Sequence, residues 1–510
     1  MSTVQKNILF ELVKSLTKSE KRQFKLYVGR LGKNVDAKFL QLFEILDKMS
    51  DYDEAVILKK SSISKRQLSN LKANLYRQIL ISLRLNPQHQ TYQLQIREQL
   101  DYATILYNKG LYQQSLKILE KAKSQALELE ENYMAYEIVE FEKVIESQYI
   151  TRSLNSRADD LAIEAKEISI QNVLASKLSN LSLQLYSFLL RNGYSKNEED
   201  YLLARNYFYY HLPTFDHEEL GFRERLYLYM SQLWYSLIIQ DFRSSYKYAT
   251  KWVDLFKEQP GMIECHPVYF MKGLNYLLES LYYLRYYSKY KEVYQLLASY
   301  EEDDSVITND NTRSLYFIYS RYAWINMKFL AADFNEGIEA IPKIDKELKE
   351  YGPLIDEHHI MVFYYKFACL HFGLDNYSEC IHYLDKIINN KELGMREDLL
   401  CYSRILKLIS LYELGDDSLD SFIRSTYRFL IKMNDLHEVQ REIISFIRGD
   451  IYPTELHKMF KVLHSKLKAL EDHPYEKRSF LYLDIISWLE SKIEVRPIYE
   501  VIKDKTKDLK

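Results

Sequence analysis

A unit of helix, tight turn and helix recurs along most of this 510-residue chain, and that recurrence limits the folds open to it more than any other feature. It is clearest around His371-Phe372-Gly373-Leu374-Asp375-Asn376-Tyr377-Ser378-Glu379-Cys380. An apolar, aromatic-rich segment from about Glu357 leads in. Gly373 to Tyr377 acts as a short breaker, and Ile381, Leu384, Ile387 and Ile388 then follow at helical spacing. The residue just after each such turn gives the series Tyr112, Arg157, Glu199, Phe242, Tyr290, Phe334, Tyr377 and Asp417, with separations of 45, 42, 43, 48, 44, 43 and 40. One helix pair cannot bury both of its apolar faces. A steady period over eight pairs therefore predicts an all-α repeat array in which each pair covers the next.

Composition agrees with long helices and few sharp corners. The 13 Gly and 9 Pro of 510 residues fall well below the average usage of about 7 % and 5 %. The 45 Tyr and 23 Phe supply bulk for helix-to-helix contact, with many Tyr hydroxyls needing water or a partner. The four cysteines (Cys265, Cys369, Cys380, Cys401) make no disulfide framework, which fits a reduced, cytoplasmic setting. Met1 to Leu16 has no signal-peptide pattern, and the uncharged run Leu226 to Gln240 is too short to span a bilayer, so no membrane insertion is expected.

Several units resemble the tetratricopeptide family. Ala103, Gly110, Tyr112, Ser115 and Ala122 in one unit, and Ala368, Asp375, Asn376, Tyr377 and Cys380 in another, place small residues and a turn-following aromatic as that family does. Asp241-Phe242 with Ser245, and Asp333-Phe334 with Gly337, match the turn half, whereas Leu414-Gly415-Asp416-Asp417 has the turn without the aromatic. The period exceeds the family's usual 34 or so residues, which implies lengthened helices or added connections. The resemblance covers residues 92–433. It implies a right-handed α-solenoid of about eight antiparallel helix pairs, with helical caps at both ends, whose first helices line a concave groove for a protein or peptide. By that register the groove takes in Arg97, Thr104, Asn108, Tyr149, Arg152, Arg191, Trp234, Tyr282, Arg285, Tyr322, Asn326 and Tyr365. Arg, Tyr and Trp are types enriched at binding hot spots, although the tyrosines could equally pack between repeats. The family's carboxylate clamp pairs Lys with Asn at adjacent groove positions. Here Tyr322 stands one turn before Asn326 in place of Lys, so that ligand is not implied.

Domain limits are expected at 1–88, 89–433 and 434–510. Residues 1–90 carry 17 Lys and Arg against 8 Asp and Glu, a net +9, and the remainder nets −12. In this basic head Thr17-Lys18-Ser19-Glu20 has the pattern of a capping box, and Asp36 is placed to cap the next helix. A helix over 36–49, a short one over 53–60, a Ser-Ser-Ile-Ser turn and a long helix over 64–85 have the rhythm of a helix-turn-helix. Lys65, Arg66, Gln67, Asn70 and Lys72 would then be the phosphate and base contacts of a nucleic-acid-linked regulator. The same residues equally describe the solvated face of a cap.

No motif announces chemistry, cofactor or metal. There is no Gly-rich phosphate loop and no His-Glu-x-x-His pair. Cys369, His371, Cys380 and His382, with His358 and His359 nearby, have the residue types of a zinc site. Residues two apart on a helix point about 200° apart, however, so each Cys/His pair diverges. The acidic runs Asp159-Asp160, Glu198-Glu199-Asp200 and Glu301-Glu302-Asp303-Asp304 suit helix starts or exposed connections better than acid–base catalysis. The expected function is a non-enzymatic scaffold without cofactor or metal, acting through the faces its repeats present.

Overall fold

The computed structural model describes residues 8–30, 37–86, 89, 91–148, 156–216, 218, 220–303, 305–390, 397–433, 435–449, 455–477, 479–482 and 484–507. The protein is 82 % helix, with no strand among the described residues, and helices that adjoin in sequence pack together. By its own contacts the chain divides into two compact units, Met1–Gln125 and Ala126–Lys510. The helices of the first are α1 (Ile8–Ser15), α2 (Lys18–Arg30), α3 (Ala37–Lys48), α4 (Glu54–Lys60), α5 (Lys65–Arg84) and α6 (Tyr92–Asn108); the division falls within α7 (Tyr112–Glu128). Phe24 stacks obliquely on Phe43, 4.7 Å between ring centres, and with Leu42, Leu46, Leu75 and Ile79 fills the core between α2, α3 and α5. The Thr17–Glu20 box is formed: the Thr17 N–H donates to Glu20 Oε2 at 2.6 Å, and the Glu20 N–H to Thr17 Oγ1 at 3.2 Å. Asp36, read as a helix cap, lies outside the described residues.

The second unit begins with α8 (Asn132–Gln148), α9 (Arg157–Asn192), α10 (Glu198–His211), α11 (Phe222–Ile238), α12 (Phe242–Glu258) and the short α13 (Gly261–Cys265). It continues through α14 (Pro267–Tyr283), α15 (Tyr287–Ala298), α16 (Asp310–Ala331), α17 (Phe334–Tyr351), α18 (Glu357–Gly373), α19 (Tyr377–Ile388), α20 (Glu397–Leu414) and α21 (Leu419–Lys432). It ends with α22 (Glu438–Arg448), α23 (Leu456–Leu470), the one-turn α24 (Ser479–Tyr482), α25 (Ile485–Glu494) and α26 (Ile498–Lys507). At the start of α25 the Asp484 carboxylate accepts from the Ser487 N–H at 2.9 Å and caps the helix. Helix α9 runs 36 residues without the Gly or Pro that would divide it. No described helix is long and apolar enough to cross a membrane.

Eight turns among the described residues share one geometry, those at Glu130 and Val495 and six that fall at or near the sequence landmarks. At Gly110, Gln240, Arg285, Ala332, Asp375 and Gly415 the backbone is left-handed, with φ between 55° and 75°. In each, the next N–H reaches back five residues, as from Asn376 to the His371 carbonyl at 2.9 Å and from Tyr286 to the Leu281 carbonyl at 3.0 Å. This double closure satisfies the last carbonyls of the first helix and turns the chain at once into the second. Two residues after the left-handed position stand Tyr112, Phe242, Tyr287, Phe334, Tyr377 and Asp417. The sequence register had used Tyr290, so it was three residues late at that hairpin. Tyr290 instead fills the slot held elsewhere by Ser115, Ser245, Gly337 and Cys380, and its hydroxyl crosses to the Ala323 carbonyl at 2.8 Å.

Gly373, read as part of the breaker, is helical, and Asp375 makes the turn. Its lack of a side chain matters for another reason: a Cβ there would stand 2.6 Å from Cε1 of Phe334 in the preceding hairpin. Gly337 is similar, with a Cβ meeting Leu370 Cδ2 at 2.6 Å. Small residues at these points let the hairpins of α16–α17 and α18–α19 close on one another, where Phe363 and Phe367 are fully buried.

Candidate functional site

Three helices of the second unit, each the first of its hairpin, turn a stripe of helical period onto a common space. From α14 come Lys272, Tyr276, Glu279 and Tyr283; from α16 Tyr319, Tyr322, Asn326 and Phe329; from α18 His358, Val362, Lys366 and Cys369. Spacings of three, four and seven put each set on one side of its helix. The C-terminal end of α9, from Tyr186 to Gly193, closes one flank. The chain's last helix covers another with Ile498, Ile502 and Lys505, again at i, i+4 and i+7, and α26 packs on α16. What remains is a cavity of about 420 Å³, within the range of small-molecule sites.

Its walls are mainly tyrosine, and their hydroxyls are largely committed. Tyr322 donates to the His359 carbonyl at 2.7 Å, and Tyr283 to Glu279 Oε1 at 2.5 Å. Burial pushes the phenols of Tyr282, Tyr319 and Tyr365 well up, so they act as neutral donors at any ordinary pH. The Cys369 thiol is pushed up to about 12 by burial, which leaves little of the thiolate a nucleophile requires.

The cations are the unusual feature. Lys366 is surrounded by protein on all sides but the cavity, and burial draws its pKa down to about 8. Its ammonium donates to Asn326 Oδ1 at 2.5 Å and lies 5.5 Å from the centre of the Tyr322 ring. Lys272, drawn down by burial, lies over two aromatic faces, Tyr186 at 4.7 Å and Trp234 at 5.5 Å. Among the described residues neither lysine forms an ion pair; Glu279 acts on Lys366 through its field. The lining carboxylates are otherwise occupied. Burial opposes ionisation of Asp484, but the charges of Lys505 and Arg285 and the Ser487 N–H together hold it below the usual range.

Of the residues read from the sequence as groove positions, Tyr282, Arg285, Tyr322, Asn326 and Tyr365 line this one cavity. Arg285 is exposed, so the space reaches solvent on its side. Trp234 is buried beneath the wall, bonded through Nε1 to Ser182 Oγ at 3.1 Å and flanked by Tyr186 and Tyr276. Arg191 is exposed and does not line the cavity. Arg97, Thr104 and Asn108 belong to the first unit, where all three are exposed. Tyr149 and Arg152 lie outside the described residues. Sequence reasoning missed Lys272 and Lys366, although both sit in register with the aromatic stripes of their helices. It also missed a lysine beside Asn326, because Lys366 comes from the next hairpin rather than from one turn earlier.

Elsewhere, Cys380 accepts from Ser410 Oγ at 3.5 Å, and His371 stacks on Tyr383 while its Nδ1 lies 3.2 Å from the Asn376 amide nitrogen. No three His, Cys, Asp or Glu among the described residues converge for a metal. Asp159 and Asp160 fall in the first turn of α9, and Glu198, Glu199 and Asp200 in that of α10, where they complement the helix dipole. At the start of α5, Lys65, Arg66, Gln67 and Asn70 are exposed. Gln67 also accepts from Lys38 Nζ at 3.2 Å. Lys72 is different: half-buried, it pairs with Glu54 at 3.1 Å and donates to the Tyr52 hydroxyl, so it is not free to meet a phosphate.

No protein-family model matches the chain, and neither a curated protein nor a solved structure matches it.

Proposed function

We propose that the chain is a non-enzymatic, cytoplasmic binding scaffold. In this reading it is a right-handed, tetratricopeptide-like stack of some eight helix pairs with helical caps, and a protein or peptide partner docks on its inner face. The observation that carries it is the convergence of α14, α16 and α18, first helices of successive hairpins, on a single polar, tyrosine-rich space. The six equal turns at or near the sequence landmarks support a repeat origin for that arrangement. Because α26 already covers part of the face, the partner reaches it with a short projecting segment. The test is affinity capture from the native cell with wild type and with Arg285→Ala plus Tyr322→Ala. The reading expects the principal partner to be lost from the variant, and an unchanged set of partners would refute it.

A second reading, contact of the first unit with DNA or RNA, is favoured by the exposed Lys65, Arg66, Gln67 and Asn70 at the start of α5. It predicts binding of the full chain to mixed duplexes that weakens steeply with salt and is reduced by Lys65→Ala plus Arg66→Ala. Binding that ignores both would eliminate it.

A further inference from the structure

We infer that the cavity between α14, α16 and α18 is a site for a small anionic molecule with a planar apolar body, its carboxylate or phosphate taken up by Lys272 and Lys366. The inference rests on reading this inner face as the binding surface, and adds the chemistry of what enters it.

Two lysines on different hairpins face one space of about 420 Å³, and among the described residues neither has a carboxylate at ion-pair distance. Placing an ammonium deep in protein costs free energy unless an opposite charge compensates it. Neutral partners offset part of that cost, the Asn326 amide oxygen for Lys366 and the Tyr186 and Trp234 faces for Lys272. They leave the positive charge uncancelled. A ligand that brought an anionic group would cancel it in a poorly solvated setting, where such a contact is strong. The remaining walls, above all Tyr186, Tyr276, Tyr319 and Tyr322, present ring surface suited to a flat apolar body. Glu279 accepts from the Tyr283 hydroxyl and its field offsets the Lys366 charge only in part, so the anionic group belongs beside the two lysines and away from this carboxylate. Arg285, exposed at the rim, adds positive potential along the approach.

The test compares two dyes of like shape on the full chain: the anionic 8-anilinonaphthalene-1-sulfonate and neutral N-phenyl-1-naphthylamine. The expected result is one saturable sulfonate-dye site per chain, bound at least about tenfold more weakly by Lys272→Met plus Lys366→Met, with neutral-dye binding unaltered. Because each substitution removes an uncompensated charge, the variants should melt at or above the wild-type temperature; Lys366→Met alone carries the comparison if the double variant folds poorly. Phenyl phosphate and phenylacetate are then used as competitors, and whichever displaces the dye identifies the acidic group. The proposal is overturned by the absence of a saturable site, by equal sulfonate-dye affinity in the variants, or by failure of both competitors. Neither dye needs a protein partner. A partner set unchanged by Arg285→Ala plus Tyr322→Ala, with lysine-dependent dye binding intact, would therefore refute the scaffold reading alone; partner loss in that variant without a lysine-dependent dye site would refute the anion site alone.

Discussion

Gly373→Ala puts the hairpin packing to a sharp test, because two effects of opposite sign compete at one atom. In a helix, Ala is favoured over Gly by up to about 1 kcal/mol, which would make the change stabilising. At Gly373, however, the added Cβ would lie 2.6 Å from Cε1 and 2.7 Å from Cδ1 of Phe334. That ring is 4 % exposed and lies edge-on to Phe329, 5.9 Å between centres, so it can yield only by shifting toward the cavity it lines. Overpacking of this kind costs about 1–3 kcal/mol, so the contact outweighs the propensity gain and leaves a net loss of up to about 2 kcal/mol. Urea unfolding followed by tryptophan fluorescence is the suitable assay, since Trp234, Trp252, Trp324 and Trp488 are all in the second unit. Gly29→Ala in α2 is the control, followed by circular dichroism: nothing lies within 4 Å of its Cβ position, so it should stabilise its unit. In a Phe334→Leu background the penalty at Gly373 should largely vanish. A midpoint unchanged or raised by Gly373→Ala, or a penalty that survives Phe334→Leu, would refute the close-packing account of this residue.

Three other outcomes follow from the same structure. Tyr290→Phe deletes the buried hydroxyl that donates to the Ala323 carbonyl and should cost about 1–2 kcal/mol in thermal or urea unfolding; no change would deny that bond any role. Ala332→Gly relieves a left-handed backbone at φ 57° and should raise stability by about 0.5–1 kcal/mol by the same assays, whereas at Gly415, already left-handed, Gly→Ala should lower it. The third concerns pH. Lys366 has its folded pKa drawn down to about 8 from 10.5, with Glu279 and Cys369 as the charged and titratable groups acting on it. Between those values the unfolded chain binds the proton and the folded chain does not, so stability relative to Lys366→Met should rise as pH goes from about 8 toward 10.5. A difference that stays flat over that window would contradict the burial of this charge.

Local features of the fold were legible where a side chain marks them. Thr17 and Glu20 announce their capping box, and Gly110 and Gly415 announce left-handed turns. The same turn at Gln240, Arg285 and Ala332 carries no such mark, since tertiary packing rather than residue preference holds it there. That is why the register slipped to Tyr290. Gly373 misled in the opposite sense: a glycine near a turn suggests the turn itself, yet here it makes room for a ring some forty residues earlier in the chain. Tyr282, Tyr322, Asn326 and Tyr365, named from the register carried over with the tetratricopeptide resemblance, are among the residues that line the cavity. The lysines were not named, because a lysine on a helix is normally solvated, and these two are enclosed by residues far apart in sequence, among them Tyr186 and Trp234 beside Lys272 and Asn326 beside Lys366. The uniform groove extrapolated to Arg97, Asn108 and Arg191 assumed that every pair contributes alike, whereas the cavity draws chiefly on three consecutive hairpins.

The most direct measurement of the central claim is site-specific photocrosslinking in the native cell. A benzophenone side chain is placed at Asn275, which lines the cavity, and in a separate variant at Tyr210 on α10, which is 85 % exposed and outside the cavity lining. The account predicts a discrete crosslinked partner from Asn275 that disappears with Arg285→Ala plus Tyr322→Ala, and none from Tyr210. A partner captured from Tyr210 and never from Asn275 would contradict it.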